Sequence, residues 1–539
     1  MNADAKQPLL NSPITDADHV SSACSTPGYN TINAAGPQLC HSPPTYHTLS
    51  SSSNIQNPDD TEPEGKAEGE TRVYRRRWYV LMVYSLLSAT QGGVWNSWGP
   101  ISATAEDAFG WTDATIALLS NWGPIAFLVS GIVFSWMMDV KGLRMSCVIT
   151  GFLVAAGTGL RCITFNTPAV TWLTHVGHFL NGLGGPVAMA APPILSAVWF
   201  PPKERTTATA IGTVLNYMGV ALSFIMGPLL VPDVPSTNST NTSSFHKSSD
   251  LSFSKHNSSM ILGSKAENAT ERIHEEKNGI ALYMYIGGGW SAAIFLVLLL
   301  YFPSKPPLPP CPSAAIPREN FVQGLKHLLT RGQFWLIAIV YGISTGTLSC
   351  WSSVLDVILK PHGIGEDEAG WIGFYATCSA ALVSLIVARF ADFFKRIMKW
   401  LVIMSYITGT ASFVVFALAT VKVIPSSSVL FYTTIIVGTT ALNAAVPLIF
   451  ELACELSYPT GEGTTNGVLT IMNNISGLIF LVVVMIPGIG EMWTNWTVVG
   501  TSGICIPLLF LMKEKYNRLE IDEHKPALNA EIIFPSPQA

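Results

Sequence analysis

Charge is scarce in this sequence: Asp, Glu, Lys and Arg make up 12% of its 539 residues, against about 25% in an ordinary soluble domain. The Lys and Arg residues are spread between apolar runs and form no basic face, which argues against nucleic-acid binding. The nine cysteines lie far apart without a C-x-x-C pair, so neither a disulfide framework nor a metal site is indicated. Because G-x-S-x-G, Walker A and H-E-x-x-H motifs are also missing, we expect no enzymatic activity and no cofactor.

Apolar residues are abundant instead, at 49% of the chain, and the mean hydropathy is +0.37. About twelve apolar stretches reach roughly 20 residues, the length that crosses a bilayer at about 1.5 Å per residue. The sequence therefore predicts an all-α, multi-pass membrane protein in contact with the lipid bilayer. The predicted spans lie near 78–102, 113–138, 145–165, 170–198, 206–231, 279–302, 333–358, 368–390, 397–421, 428–455, 464–488 and 492–512.

The first 71 residues are rich in Ser, Pro, Asn and Thr and poor in large apolar residues. Such a composition cannot bury enough surface to fold, which predicts a disordered tail, and no apolar run typical of a signal peptide is present. Leu9 and Leu10 follow Pro8 in a pattern that resembles an acidic dileucine sorting signal. Sorting adaptors are therefore a predicted partner of this tail.

Basic residues predict the orientation of the chain. Arg75, Arg76 and Arg77 precede the first span, and most other short-loop Lys and Arg residues fall on the same side, so both termini are predicted to be cytosolic. The long loop 231–278 then faces the lumen and carries four N-x-S/T sequons. Glycans are added only on that side of the membrane, so these sequons are predicted glycosylation sites. Their asparagines are Asn238, Asn241, Asn257 and Asn268.

A Pro-rich segment at 303–332, predicted to be a cytosolic linker, divides the predicted spans six and six. It separates an N-terminal six-helix bundle, 72–302, from a C-terminal one, 333–512, which is followed by a cytosolic tail, 513–539. The loop after the second span reads "MMDVKGLRM", and the equivalent loop of the second half reads "ARFADFFKRIMK". An Asp followed by a basic cluster at the same place in each half indicates an internal repeat.

Asp139, Gly142 and Arg144 in the first of these loops resemble the loop signature of the major facilitator superfamily. The blocks "AVWFPPKERTTATAI", "GVALSFIMGPLLVP" and "PLIFELACELSYPTGEGTTNGV" resemble solute carrier family 49, and the likeness extends from Arg76 to about Leu519. It implies a major facilitator fold with 12 transmembrane helices in two six-helix bundles and a solute site between them. It also implies a gating role for Asp139, Gly142 and Arg144, with Asp139 pairing either with Arg144 or with the other half.

The resemblance further suggests which residues bind solute. Trp95 aligns with a cavity tryptophan of choline-transporting relatives, where a ring face stacks on a cation or flat heterocycle. Asn216 and Tyr217 of span five match an Asn-Gln pair in the relatives, so the second position departs from them. Trp351 of span seven and Asn473 and Asn474 of span eleven complete the predicted site. An asparagine inside a membrane helix is equally consistent with interhelical hydrogen bonding.

Intramembrane acids are the candidates for proton coupling, because charges at that depth are rare and costly. Glu451 and Glu455 lie four residues apart on one face of span ten. Asp356 and His178 are further candidates. The alternative for the glutamate pair is a structural network with Arg389 or Lys395.

Three other residues receive structural interpretations. We expect Arg161, late in span three, to pair with a lumenal acid. For Trp98 and Trp122 we expect positions in an interfacial aromatic belt.

With no motif for ATP hydrolysis, transport is predicted to be secondary. The family resemblance implies a lysosomal exporter that moves pyridoxine (vitamin B6) with protons, so a small organic solute and protons are the expected ligands. The alternatives are a choline, ethanolamine or haem carrier, or a nutrient sensor with a carrier fold that transports nothing.

Overall fold

The computed structural model describes residues 71–231, 255–364, 366–394, 396–484, 486 and 492–523. These residues belong to one compact unit that begins at Ala67. Helices dominate the described part of the chain, which contains no strand. The all-α prediction is therefore confirmed.

The first half contains six membrane-length segments, with α4 broken into three consecutive helices. They are α1 (Arg76–Trp95), α2 (Asp113–Val140), α3 (Leu143–Arg161), α4 (Ala169–Leu183, Gly185–Ala190 and Pro192–Trp199), α5 (Arg205–Leu230) and α6 (Lys255–Leu300).

The second half repeats this arrangement, with a break in α10 at the position equivalent to that in α4. Its segments are α7 (Gly332–Ser352), α8 (Glu366–Phe393), α9 (Met398–Thr420), α10 (Ser428–Ala444 and Val446–Ser457), α11 (Glu462–Val484) and α12 (Met492–Leu511). Within the described residues, ten helices are long and apolar enough to cross a membrane, and the pair Ala169–Ala190 and Pro192–Trp199, bent by 44°, makes an eleventh span. The helix α1 has the length of a span, with 20 residues, but is not among these eleven.

Proline and glycine explain where the predicted spans are interrupted. The predicted span 78–102 ends as a helix at Trp95 and resumes as a short 3-10 helix with Pro100 near its start. In α4, Pro186 and Pro192 stand at the first turns of the two later helices, where the missing N–H of proline needs no partner.

Two helical segments extend beyond the predicted spans. The helix α6 begins at Lys255, within the predicted loop, and the polar segment before position 279 contains no proline that would stop a helix. Residues 513–523 do not leave the bundle as a tail: residues 517–523 are helical, and Arg518 is 1% exposed. The predicted loop and tail are therefore partly ordered helix.

The two halves meet along two helix pairs, α2 with α11 and α5 with α8. A side chain at Gly467 of α11 would collide with Ser135 of α2, so glycine permits the close approach there.

We call the end of the bundle at which α1 begins and α12 ends the lower end, and the opposite end the upper end. Trp98 lies in a buried aromatic cluster near the upper end with Phe109 and Trp111, so its predicted place in an interfacial belt is wrong.

Candidate functional site

Two aspartates join the halves at the lower end. Asp392, at the end of α8, accepts hydrogen bonds from the backbone N–H of Thr206 (2.9 Å) and of Thr207 (2.7 Å) and from the Thr207 hydroxyl (2.6 Å). Both threonines lie in the first turn of α5, which belongs to the other half. The free N–H groups and the positive end of the helix dipole at such a turn attract a carboxylate.

Asp139, at the end of α2, makes the equivalent contact in the opposite direction. Its carboxylate accepts from the backbone N–H of Gly463 (2.8 Å) and of Thr464 (2.6 Å) and from the Thr464 hydroxyl (2.5 Å), in the first turn of α11. Each half therefore contributes one aspartate that caps a helix of the other half. This pair of caps follows the internal repeat seen in the sequence.

The loop beside Asp139 explains the other two predicted gating residues only in part. Gly142 has φ 85°, a left-handed conformation that glycine adopts without strain, and it links α2 tightly to α3. Arg144 is exposed, and the carboxylate of Asp139 is bonded to the other half of the protein instead. Of the two partners expected for Asp139, Arg144 and the other half, the structure shows the other half.

Glu451 forms a second contact between the halves, close to these caps and 1% exposed. Its Oε1 accepts from the hydroxyls of Ser196 (3.0 Å) and Thr209 (2.6 Å), which lie on α4 and α5 of the first half. Its Oε2 accepts from Arg518 Nη2 at 2.5 Å. A single carboxylate thus connects both halves with the segment that follows the last span.

Glu455 and Glu462 complete a buried cluster around the same arginine. Glu455 accepts from Arg518 Nε (3.2 Å) and from the backbone N–H of Arg518 (2.8 Å) and Leu519 (3.2 Å). Glu462 lies 3.5 Å from Arg518 Nη1 and forms a bidentate pair with Arg318 of the linker, its Oε1 being 2.7 Å from Arg318 Nη2. The cluster holds three carboxylates and two guanidinium groups.

The neighbouring carboxylates keep Arg518 in its charged form. Burial alone would lower the pKa of Arg518, but the carboxylates of Glu451 and Glu455 outweigh that effect and hold the pKa well above its usual range. From the sequence, the expected basic partner of Glu451 and Glu455 is Arg389 or Lys395, whereas the structure has Arg518. Arg389 donates to the Lys203 carbonyl (3.3 Å), and Lys395 lies outside the described residues.

Trp95 is the last residue of α1 and lies away from the lower end. Its indole N–H donates to the Ser120 carbonyl of α2 (3.0 Å), and a side chain at Gly123 would collide with the indole ring. The sequence Trp-Gly-Pro occurs twice, at 98–100 and at 122–124. The glycine of the second copy, Gly123, leaves room for the indole of Trp95, which lies three residues before the first copy. Trp122 itself donates to His175 Nδ1 (3.0 Å).

Asn216 and Tyr217 face different neighbours. The Asn216 amide donates to the Ser88 carbonyl (2.7 Å) and the Gln91 side chain (3.3 Å) of α1, so it ties two helices of one half together. Tyr217 lines a small cavity between the halves. The cavity volume is about 40 Å³, enough for only one or two water molecules. Its other lining residues are Thr213, Val214, Thr377, Ala380, Ala381, Ser384 and Asn443.

The second-half residues of the predicted solute site have different neighbours. Trp351 is fully buried in the core of its own half, where its indole donates to Asn495 (2.8 Å) and the rings of Phe413 and Phe416 pack edge-on against it. Its predicted contact with solute is therefore corrected to a packing role. Asn474 donates to the Thr470 carbonyl of its own helix (2.8 Å).

Asn473 differs from its neighbour. It is buried, and its amide nitrogen finds no acceptor in the described part of the chain. An unsatisfied buried amide of this kind leaves Asn473 with a donor for a ligand or a water molecule.

His178 and Arg161 are both buried inside the first half rather than between the halves. Arg161 donates to the Ser97 hydroxyl (3.1 Å), and the described residues offer it no acid partner, so the expected pairing with a lumenal acid is not found. The remaining candidates cannot be placed: Leu9, Leu10, Asn238 and Asn241 lie outside the described residues, as do the side chains of Asn257, Asn268 and Asp356.

Sequence reasoning missed two residues of these contacts, Asp392 and Arg518. Asp392 had a visible signal, because the repeated loop places it where Asp139 stands in the first half. Arg518 had none, since it is one of several charged residues after the last span and only the fold brings it back to α10.

Comparisons with known proteins agree with this architecture. The profile of the Major Facilitator Superfamily matches residues 82–243 and 274–481. A solute carrier family 49 member 4 homolog of Xenopus laevis is 37% identical over 84% of this chain and 94% of its own length. The choline/ethanolamine transporter flvcr2a of Danio rerio is 25% identical over 79% of this chain and 84% of its own. The transporter FucP, in its outward conformation, superposes with a TM-score of 0.59 at 14% identity, covering 82% of this chain and 100% of that one.

Proposed function

Because this chain belongs to solute carrier family 49 of the major facilitator superfamily, it is a multi-pass membrane transporter, and we propose that it exports a small organic solute from the lysosomal lumen together with protons. In this proposal the lower end faces the cytosol and the solute is pyridoxine. The observation that carries it is the buried carboxylate cluster, which sits where the two halves are joined and holds one more acid than it has basic partners.

The first step of the mechanism is closure of the lower end. The hydrogen bonds found between the halves in the described residues gather there, at Asp139, Asp392 and Glu451. A carrier of this class exposes its site alternately to each side by moving one half against the other. We therefore propose that, in the state with the lower end closed, solute enters from the upper end.

The second step is binding at the level of Trp95 and Asn473. The Nε1 edge of the Trp95 ring is held against α2 through Gly123 and Ser120, and in this proposal the rest of the ring stacks on a flat heterocycle. Asn473 supplies the unsatisfied amide nitrogen. An aromatic face with one hydrogen-bond donor suits a polar pyridine ring such as that of pyridoxine.

The third step couples the proton to opening. Glu451 faces the charged groups Arg518, Glu455 and Glu462, with Arg318 behind Glu462, and the neutral hydroxyls of Ser196 and Thr209. A proton on Glu451 removes the charge that binds Arg518 and weakens its acceptance from the two hydroxyls of the first half. Protonation from the acidic lumen therefore favours separation of the halves, and release to the more alkaline cytosol restores closure.

A cationic solute such as choline is the second candidate, favoured by the similarity to a choline/ethanolamine transporter. A tryptophan face serves a quaternary ammonium group as well as a heterocycle. The tyrosine at position 217, where the relatives are expected to have glutamine, favours the heterocycle instead.

The test is uptake by purified protein in liposomes, with pyridoxine, choline, ethanolamine and haem compared at several pH gradients. We expect pyridoxine to accumulate only when the proton gradient is imposed, and counterflow to proceed without it. If choline alone accumulates, the transported solute is choline rather than pyridoxine. Neither accumulation nor counterflow of any of the four would favour a sensor that transports nothing.

A further inference from the structure

The segment that follows the last span is built into the lower end. Besides the contacts of Arg518 with Glu451 and Glu455, Asp522 is almost completely buried. Its Oδ1 accepts from the backbone N–H of Ser313 (2.8 Å), and its Oδ2 accepts from the Ser313 hydroxyl (2.8 Å) and from Arg205 Nη2 (3.4 Å).

These contacts reach three parts of the protein. Arg518 binds α10 of the second half, Asp522 binds the linker at Ser313, and Asp522 also binds Arg205, the first residue of α5 in the first half. The two residues after Arg205 are those capped by Asp392. The first turn of α5 is therefore held by the second half and by the C-terminal segment at the same time.

We propose that residues 512–523 form a latch that keeps the lower end closed, with Arg518 as the positioning residue that ties the carboxylate pair to it. Separation of the halves moves Arg205 and α5 away from α10, so the contacts of Arg518 and Asp522 cannot both survive it. The latch must leave the lower end in each transport cycle. This inference rests on alternating access but not on the identity of the solute or on proton coupling.

Four native cysteines provide a direct test in the full-length protein. Cys311 and Cys454 are buried beside the latch: Cys311 Sγ lies 3.1 Å from Arg205 Nη2, and Cys454 stands between the two glutamates. Cys147 and Cys505 are buried in the cores of the first and second halves. Latch release exposes the first pair, whereas general loosening exposes all four.

One variant keeps every buried charge paired, because an unpaired buried charge alone could prevent folding, and the other removes a single ion pair. Arg518→Lys keeps the charge but loses the fork geometry that reaches several carboxylates, and Asp522→Asn keeps the shape but loses the ion pair with Arg205. The matched control is Arg396→Gln, which breaks the exposed pair between Arg396 and Glu523 on the same helical segment (3.0 Å).

Alkylation by a membrane-permeant maleimide is followed at each cysteine by mass spectrometry in liposomes. For Arg518→Lys and Asp522→Asn we expect the rates at Cys311 and Cys454 to rise about tenfold or more, with Cys147 and Cys505 unchanged and Arg396→Gln equal to the native protein. Unchanged rates at Cys311 and Cys454 overturn the latch, and so does a parallel rise at all four cysteines. Because no solute is needed, the result is independent of whether pyridoxine is carried.

Discussion

Replacing Asp139 with asparagine should weaken closure of the lower end without unfolding the protein. The carboxylate of Asp139 accepts two backbone N–H groups and one hydroxyl at the start of α11. Asparagine keeps one oxygen, loses the charge and turns an N–H₂ group toward one of these donors. Since a hydrogen bond to a charged group contributes about 1.5 to 3 kcal/mol, we expect the closed state to lose about 2 to 3 kcal/mol relative to the open state.

A loss of that size corresponds to a change of roughly 30- to 150-fold in the ratio of the closed to the open state. The internal repeat supplies a second, independent perturbation, because Asp392 makes the same three contacts with the start of α5. Asp392→Asn should have an effect of similar size. The double variant should approach the sum of the two free-energy changes, as expected for separated sites.

The assay combines the alkylation rate of Cys454, which reports opening of the lower end, with the rate of solute counterflow. We expect faster alkylation and slower counterflow in both single variants, while the thermal unfolding midpoint changes little. Asp107→Asn is the control, since Asp107 pairs with Arg272 near the upper end and is about half exposed. Native alkylation and native counterflow in Asp139→Asn would refute the gate, and an effect of Asp139 without one of Asp392 would refute its two-fold character.

Three further predictions concern the solute, the proton and the location of the protein. Trp95→Ala should weaken apparent solute affinity at every pH gradient while Trp95→Phe keeps part of it, since ring stacking contributes about 0.5 to 2 kcal/mol; equal affinities in liposome uptake would exclude a stacking role. Glu451→Gln should abolish uphill export but preserve exchange, and a variant that still concentrates solute in response to pH would place coupling elsewhere. Leu9→Ala combined with Leu10→Ala should move the protein to the plasma membrane in imaging of intact cells, whereas unchanged lysosomal location would contradict the sorting role.

The helical fold was predictable because long apolar segments have few alternatives in a bilayer, where every backbone N–H and C=O must be paired within the segment. Asp139 could be singled out because a charged residue in a short loop stands out against apolar sequence. Its acceptance of N–H groups from α11 depends on packing between halves more than 300 residues apart, which no local pattern records.

Trp351 shows where such reasoning fails. In a membrane helix the side that faces lipid and the side that faces the protein core are both apolar, so hydrophobic periodicity does not reveal which way a tryptophan points. Trp351 and Trp95 look alike in sequence, each near the upper part of the first helix of its half. Only the structure distinguishes the tryptophan packed among Phe413, Phe416 and Asn495 from the one lying on Gly123.

The contacts at the lower end are of two kinds: the aspartate caps occur in both halves, whereas the glutamate cluster occurs in one. We expect the caps to serve gating and the cluster to serve proton coupling. The caps of Asp139 and Asp392 are related by the internal repeat, so they are suited to closing and opening and give neither half a special role. The glutamates are not repeated: counted back from the starts of α5 and α11, the positions of Glu451 and Glu455 correspond to Ile194 and Val198 in the first half. A proton that acted through the caps would act on both halves alike, whereas one that binds Glu451 acts from α10 alone, on the latch and on the hydroxyls of Ser196 and Thr209 in the first half. Ile194→Glu introduces a carboxylate at the equivalent position of the first half. We expect this variant to destabilise the first half without adding a coupled proton, because no equivalent of Arg518 reaches α4 in the described residues. A higher proton-to-solute ratio in the variant would show that coupling does not depend on the cluster being confined to one half.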